Sequence, residues 1–244
     1  MMKKLLFFTL LGSLFFGQQQ EGSLILLDKY PEKQKFYEGG TSQLYSDIHK
    51  TIVDQKIEPC ENKSEIYMMK FIVYPDATIK FIKEEDPEKT QKNKCAFDLT
   101  RKVFKHLKNW KPAEISGQKF PAIVRLLIFP DDLFDKYAEG YTGKQYWVDA
   151  EFPGGLDAFR KEYIRNVDIG RFSINQTFKL TLHFTVNEQG EAVNFRLGQT
   201  SGNDSFDDVV MKSAKWIKKK WKPATFHGIS IESYFTFPIT FNDY

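Results

Sequence analysis

Trp221-Lys222-Pro223-Ala224 has a twin in this chain, Trp110-Lys111-Pro112-Ala113. In each copy a glycine follows at the same distance, Gly117 and Gly228, and an alternating apolar run comes next. A helix-like pattern precedes each copy. Further upstream an aromatic residue stands beside a glycine pair, as Tyr37-Glu38-Gly39-Gly40 and as Phe152-Pro153-Gly154-Gly155. A four-residue identity held in register with its landmarks marks an internal repeat, and a repeat takes precedence over local assignments. The chain therefore reads as two copies of one module.

Working outward from the second copy, Leu156, Phe159 and Tyr163 form one helical face. Phe178, Leu180, Leu182, Phe184 and Val186 alternate as a half-buried strand, and Asn187-Glu188-Gln189-Gly190 turns the chain into a return strand through Val193, Phe195 and Leu197. Phe206, Val210, Ala214, Ile217 and Trp221 mark a second helical face. Ile229 to Phe241 then alternates to the end as a closing strand. The first copy has the same plan. Leu44, Ile48 and Ile52 share a helix face, Tyr67 to Val73 and Ile79 to Phe81 form a hairpin, and Glu84 to Lys94 is a charged loop. Leu99, Val103, Leu107 and Trp110 share a second helix face, and Phe120 to Ile128 closes the unit. Helix, strand, strand, helix, strand is an α+β plan: two helices on one face of a three-stranded antiparallel sheet, built twice. The expected domains are residues 36–130 and 152–244, joined by a connector over 131–151. That connector is too rich in Tyr and Trp (Tyr137, Tyr141, Tyr146, Trp147) for a solvated linker.

The N-terminus reads differently. Lys3 and Lys4 precede an apolar run, Leu5 to Gly17, that ends abruptly at Gln18-Gln19-Gln20-Glu21. This is the layout of a secretory signal peptide over residues 1–17. The run is shorter than the roughly 20 residues of a spanning helix; an uncleaved anchor is the alternative. Residues 18–35 are a lead-in, either a strand or a tether. Net charge is +3, and setting aside the two leader lysines leaves +1, too balanced for nucleic acid as the main partner. The only cysteines, Cys60 and Cys95, both fall in the first module. In an exported chain an even count suggests a disulfide, with two buried thiols as the alternative.

Phe152-Pro153-Gly154-Gly155 with Phe159 and Tyr163-Ile164 resembles the start of the TonB C-terminal domain of Bacteroidetes-type energy transducers. The likeness continues through Phe184-Thr185-Val186 to Gly190, Asp207-Asp208, Trp221-Lys222-Pro223-Ala224 with Gly228, and Phe237-Pro238-Ile239-Thr240-Phe241. It spans nearly the whole second module; the first is a more diverged version that lacks a proline before its glycine pair. The resemblance implies a non-enzymatic, periplasmic protein. Its expected partner is an outer-membrane transporter or another envelope protein, bound by strand addition in the service of transmembrane transport. Alternatives are a membrane-anchored energy transducer that keeps its apolar N-terminus, and a purely structural periplasmic module. The chain has no Pro-rich spacer; its 10 prolines are scattered.

The expected partner-binding edge is Ser233, Tyr234, Phe235, Thr236, Phe237, Pro238 and Ile239. A closing strand after a helix often lies at a sheet margin with unpaired N–H and C=O groups. Pro238 suits an edge, having no N–H to donate, and by the same property can guard one. Trp110, Pro112, Trp221, Pro223 and Gly228 read as structural, the tryptophans closing the core and the prolines turning the chain. Lys212, Lys215, Lys218, Lys219, Lys220 and Lys222 form either a solvated helix face or a docking face for an anionic surface such as a headgroup layer. His49, His106, His183 and His227 show no metal-ligand spacing. No catalytic motif, cofactor signature or small-molecule site stands out. Asp131-Asp132 and Asp207-Asp208 read as turn and helix-start residues.

Overall fold

A computed structural model describes residues 25–243. The leader assignment and the start of the lead-in lie outside the described residues. No described helix is long and apolar enough to cross a membrane.

Among the described residues the architecture is α+β, with five α-helices and several small antiparallel sheets. Helix α1 (Gly40–Asp54) is followed by strands β1 (Tyr67–Val73) and β2 (Ile79–Phe81), then helices α2 (Pro87–Lys92) and α3 (Lys94–Phe104). A small hairpin, β3 (Ala113–Ile115) and β4 (Gln118–Phe120), leads into β5 (Ala122–Ile128). The connector contributes two short 3-10 turns and β6 (Trp147–Val148). The order then recurs: α4 (Gly155–Asn166), β7 (Phe178–Val186), β8 (Ala192–Leu197), α5 (Asp204–Lys215), the hairpin β9 (Ala224–Phe226) and β10 (Ile229–Ile231), and β11 (Ser233–Phe241). The main sheets run β2-β1-β5 and β11-β7-β8, with the central strand the first of each half.

The repeated motif meets the segment before the glycine pair in both places, one residue out of step in which pair forms the bridge. Tyr37 and Trp110 form an isolated antiparallel bridge, with the Glu38 N–H donating to Asn109 O at 2.8 Å and the Lys111 N–H to Phe36 O at 3.0 Å. In the second half the Glu151 N–H donates to Lys222 O at 2.9 Å and the Lys222 N–H to Glu151 O at 2.8 Å. Trp110 lies edge-on to Tyr37 and Phe71, both at 5.0 Å, and Trp221 lies edge-on to Phe152 at 5.2 Å and tilted against Phe184 at 5.7 Å. The glycine pairs permit the bend between bridge and helix. Gly39, Gly40, Gly154 and Gly155 all have φ between 74 and 90°, a region L side chains rarely enter. Gly190 answers a different need: a Cβ there would sit 2.1 Å from the Trp221 carbonyl oxygen.

Several expectations are corrected. The second helices end at Phe104 and Lys215, well before Trp110 and Trp221. Neither tryptophan is helical: Trp110 sits in the bridge with Tyr37, the Trp221 N–H donates to Gly190 O at 2.8 Å, and the residue before Pro112 or Pro223 disfavours helix. The closing runs each divide in two. Ile229–Ile231 pairs with Ala224–Phe226 across the His227-Gly228 turn, and only from Ser233 does the chain pair with β7. In the first half the same switch falls at Pro121, between β4 and β5. Leu156, expected on the buried helix face, is 52% exposed, since Phe159 and Tyr163 already define the face that meets the core. The charged loop holds α2, started by Pro87 and capped by Asp86, which accepts from the Glu88 N–H.

Cys60 and Cys95 are joined in a disulfide. The connector packs as its aromatics required: Leu133 and Tyr141 are buried in the first core, and β6 pairs with β9. That pairing builds a third sheet, β10-β9-β6, which covers the outer face of the first sheet. Leu127 and Phe129 meet Phe226, Ala224 and Ile231 there, so Leu127 is buried against the alternation of its strand.

Charged groups fasten this seam. Glu232, at the strand switch, holds Lys70 at 2.6 Å and Lys89 at 2.5 Å. Burial alone would raise the Glu232 pKa, but the two ammonium groups outweigh it and hold the carboxyl below its usual value. A depressed carboxyl stabilises above its unfolded pKa, near 4.3 for Glu, and that contribution is lost as pH falls through the folded value. Glu232→Gln is therefore expected to cost about 1–2 kcal/mol at neutral pH. The gap from wild type should close below about pH 4. Thermal unfolding of both proteins across pH 3–7 checks this; a gap that persists unchanged at low pH refutes it.

Candidate functional site: the margin of the closing strand

Strand β11 alternates because one of its faces is covered by helices. Phe237 lies 5.2 Å from Phe159 and 5.7 Å from Tyr163, and Phe241 lies 4.9 Å from Phe206. Along its length β11 pairs with β7, from Ser233 opposite Val186 to Phe241 opposite Phe178. On its other side no strand pairs with it among the described residues. The expected edge residues Ser233 to Ile239 thus all lie on one strand at a sheet margin.

The hydrogen-bond pattern decides which of their backbone groups face outward. The Gly198 N–H donates to Thr181 O at 2.8 Å, so the Thr181 carbonyl points toward β8. Pro238 is the partner of Thr181 across the β7–β11 ladder. In an antiparallel pair, residues that turn away from each other do so together. Pro238 therefore directs its backbone outward, and its missing N–H costs the β7 ladder nothing. By the same parity Tyr234, Thr236 and Thr240 present their N–H and C=O to the open side. The margin offers donors at three of these four positions, with a gap at Pro238.

The two ends of this margin differ. At Ser233, Tyr234 and Phe235 the strand borders a groove of about 310 Å³, walled by Trp147, Phe152, Leu156 and Trp221. The Tyr234 ring is held under the Arg125 guanidinium at 3.9 Å, and its hydroxyl meets Asp28 and Arg196. Asp28 also accepts from Arg125, so the lead-in, both halves and β11 converge here. From Phe237 onward the flank is formed by α4, with the Arg160 guanidinium 5.7 Å over the Phe237 ring. Pro238 and Thr240 are exposed.

The corresponding margin in the first half is already met. Leu27 forms a parallel bridge with Ala122: its N–H donates to Pro121 O and its C=O accepts from the Ile123 N–H, both at 2.9 Å. The lead-in thus behaves as a very short strand at β5. This contact was invisible in the sequence, since it joins residues far apart in the chain.

Sequence reading also passed over a buried polar cluster. Asp132, 6% exposed, accepts from the Tyr141 hydroxyl at 2.8 Å and lies 2.8 Å from His227 Nε2. His227 is stacked between Tyr146 at 3.8 Å and Phe129 at 4.8 Å. These groups border a cavity of about 550 Å³. The same Asp132 oxygen serves both donors, and no hydroxyl or thiol hydrogen-bonds His227 among the described residues, so the cluster fastens the connector to the β9–β10 turn. Asp131 pairs instead with Lys63 and Lys136. Asp207 accepts from the Ser201 N–H and the Thr200 hydroxyl, and Asn203 caps α5. Among the described residues the one close grouping of His, Cys, Asp or Glu side chains is Cys60, Glu65 and Cys95, whose sulfurs are bonded to each other.

No protein-family model matches the chain, and comparisons with curated proteins and with solved structures return no match.

Proposed function

We propose that the chain is two tandem modules of the TonB C-terminal type and that an extended segment of an envelope partner, such as an outer-membrane transporter, adds as a strand along β11. The protein acts in the periplasm as a non-enzymatic binding module. The observation that carries this reading is the nine-residue strand β11, paired on one side only among the described residues and presenting outward backbone groups at Tyr234, Thr236 and Thr240. In both halves the segment before the glycine pair pairs antiparallel with the Trp-Lys-Pro-Ala segment, through Tyr37 and Trp110 and through Glu151 and Lys222, which supports the tandem arrangement. The sister margin at β5 is met by the protein's own lead-in, which leaves β11 as the margin for a partner.

Main-chain pairing supplies affinity in this mode, and alternate side chains supply selectivity. The test uses synthetic peptides from the periplasmic ends of envelope transporters. Thr236→Pro removes an outward donor without touching the β7 ladder, and is expected to weaken binding by about tenfold or more. Pro238→Thr fills the gap in the donor row and is expected to tighten binding about fivefold. Amide exchange at Tyr234, Thr236 and Thr240 should slow on binding. Peptide capture that is indifferent to both substitutions would remove β11 as the site.

A further inference from the structure

The end of α5 carries a surface that strand addition does not use. Lys212, Lys215, Lys218, Lys219, Lys220 and Lys222 fall within eleven residues, and all six are exposed. Three are engaged: Lys212 with Asp208 at 3.1 Å, Lys219 with Glu162 at 3.7 Å, and Lys220 with Glu191 at 3.1 Å. Lys215, Lys218 and Lys222 have no carboxylate within salt-bridge distance among the described residues. The patch therefore keeps three uncompensated positive charges in a chain whose overall charge is +3.

A solvated surface would explain the lysines, four of which lie beyond the end of α5 and not on the helix face expected, but it does not explain Trp216. The other tryptophan of this region, Trp221, is 4% exposed and sits among Phe152, Phe159 and Phe184. Trp216 is 61% exposed, the C-cap of α5, one helical turn from Lys212 and flanked in sequence by Lys215, Ile217 and Lys218. A large indole left in water beside a cluster of ammonium groups matches the chemistry of a bilayer surface. Indoles favour the headgroup level, where an apolar body and a polar N–H are both accommodated. Lysines near them gain from anionic phosphates.

We propose that Lys212–Lys222 is a docking surface for a bilayer with anionic headgroups, in which Trp216 enters the interface and Lys215, Lys218 and Lys222 meet lipid phosphates. Within this segment Trp221 walls the groove beside Ser233 to Phe235, but Trp216, Lys215, Lys218 and Lys222 do not line it. The indole favours a lipid layer over a soluble polyanion, which offers phosphate or sulfate charge without an apolar phase.

The experiment uses the full chain with vesicles of phosphatidylglycerol and phosphatidylcholine, or of phosphatidylcholine alone, carrying brominated acyl chains. The readout is Trp216 emission, obtained as the difference from Trp216→Phe, because the apolar run Leu5 to Gly17 would carry the chain onto vesicles of any charge. With anionic vesicles, Trp216 emission is expected to shift to the blue and to be quenched by bromine; with phosphatidylcholine alone it should do neither. Each uncompensated lysine is worth roughly fivefold in partition, so Lys215→Gln with Lys218→Gln should weaken the effect about 25-fold. Raising salt toward 1 M, where charges are screened within about 3 Å, should abolish it. Equal quenching by neutral vesicles, or no response to the double substitution, overturns the proposal. A blue shift of the same size with soluble heparin would assign the patch to polyanions and overturn it equally.

Discussion

Trp221→Ala is expected to destabilise the protein by about 3–5 kcal/mol, the range for removing a large aromatic from a packed core. The indole touches Phe152, Phe159, Phe184 and Phe235, with ring centroids between 4.7 and 5.7 Å apart. Those rings come from the segment before α4, from α4 itself, from β7 and from β11, so the cavity would be shared by the whole second core. Trp110→Ala should cost a similar amount in the first half, where Tyr37, Phe71 and Phe104 surround it. Replacement by Phe separates the two sites. Trp110 Nε1 donates to Leu107 O at 3.2 Å, whereas Trp221 Nε1 has no acceptor among the described residues. Trp110→Phe therefore gives up a hydrogen bond worth about 1 kcal/mol that Trp221→Phe does not. Urea unfolding followed by circular dichroism, with amide exchange to tell the halves apart, measures all four variants. A loss under 1 kcal/mol for Trp221→Ala would show that the motif does not plug a core.

Removing the disulfide should be comparably costly. Cys60 and Cys95 are 35 residues apart, and a loop of that length is worth roughly 4 kcal/mol in the chain-entropy treatment. The loop contains β1, β2 and α2, so the bond restrains most of the first sheet in the unfolded chain. Its surroundings are also tied by local contacts: Glu65 accepts from the Ala96 N–H at 2.9 Å, and Asn93 accepts from the Ile66 N–H at 3.0 Å. Those contacts hold the native geometry but do nothing for the unfolded ensemble, so they should not mask the loss. Cys60→Ser with Cys95→Ser, or reduction, should lower the unfolding temperature and raise exchange in the first half ahead of the second, which has no cysteine. Uniform exchange in both halves, or a shift worth less than about 1 kcal/mol, would contradict the entropic reading.

Periodicity made much of the fold legible. Leu44, Ile48 and Ile52 are buried at the spacing that announced α1, and the odd positions of Tyr67–Val73 are buried as the alternation required. Leu180 to Val186 gave β7 in the same way. These readings work because a helix or strand must bury a face whose spacing is fixed by backbone geometry. Elements whose reason lies elsewhere in the chain were misjudged. Helical spacing of three and four continues through Leu107 to Trp110 and through Ile217 to Trp221, yet the neighbouring Lys111 and Lys222 pair with Phe36 and Glu151, and the Trp221 N–H goes to Gly190. The break at Glu232 was not visible, because the residues on either side alternate without interruption; the strand changes partner there, and partners are not local. Leu127 looked like an outward position and is buried by Phe226 and Ile231 from the other half.

The candidate margin was legible as a strand but not as an edge with a pattern. Sequence left Pro238 undecided between tolerance and guard. The Gly198–Thr181 hydrogen bond resolves its direction, and that bond joins β8 to β7, neither of which contains Pro238. The partial cover over Tyr234 by Arg125 and Asp28 arises from three distant segments. His227 and Asp132 escaped notice for the same reason, being 95 residues apart.

What the sequence determined by itself is therefore what backbone periodicity and covalent identity specify: the twice-occurring motif, the helices and strands, and a cysteine pair able to bond. The tertiary structure alone decided where strands change partner, which sheet faces are covered twice, and which margin has no strand partner among the described residues. Those outcomes depend on pairing and burial between segments far apart in the chain, and no local spacing encodes the neighbour that a residue will meet.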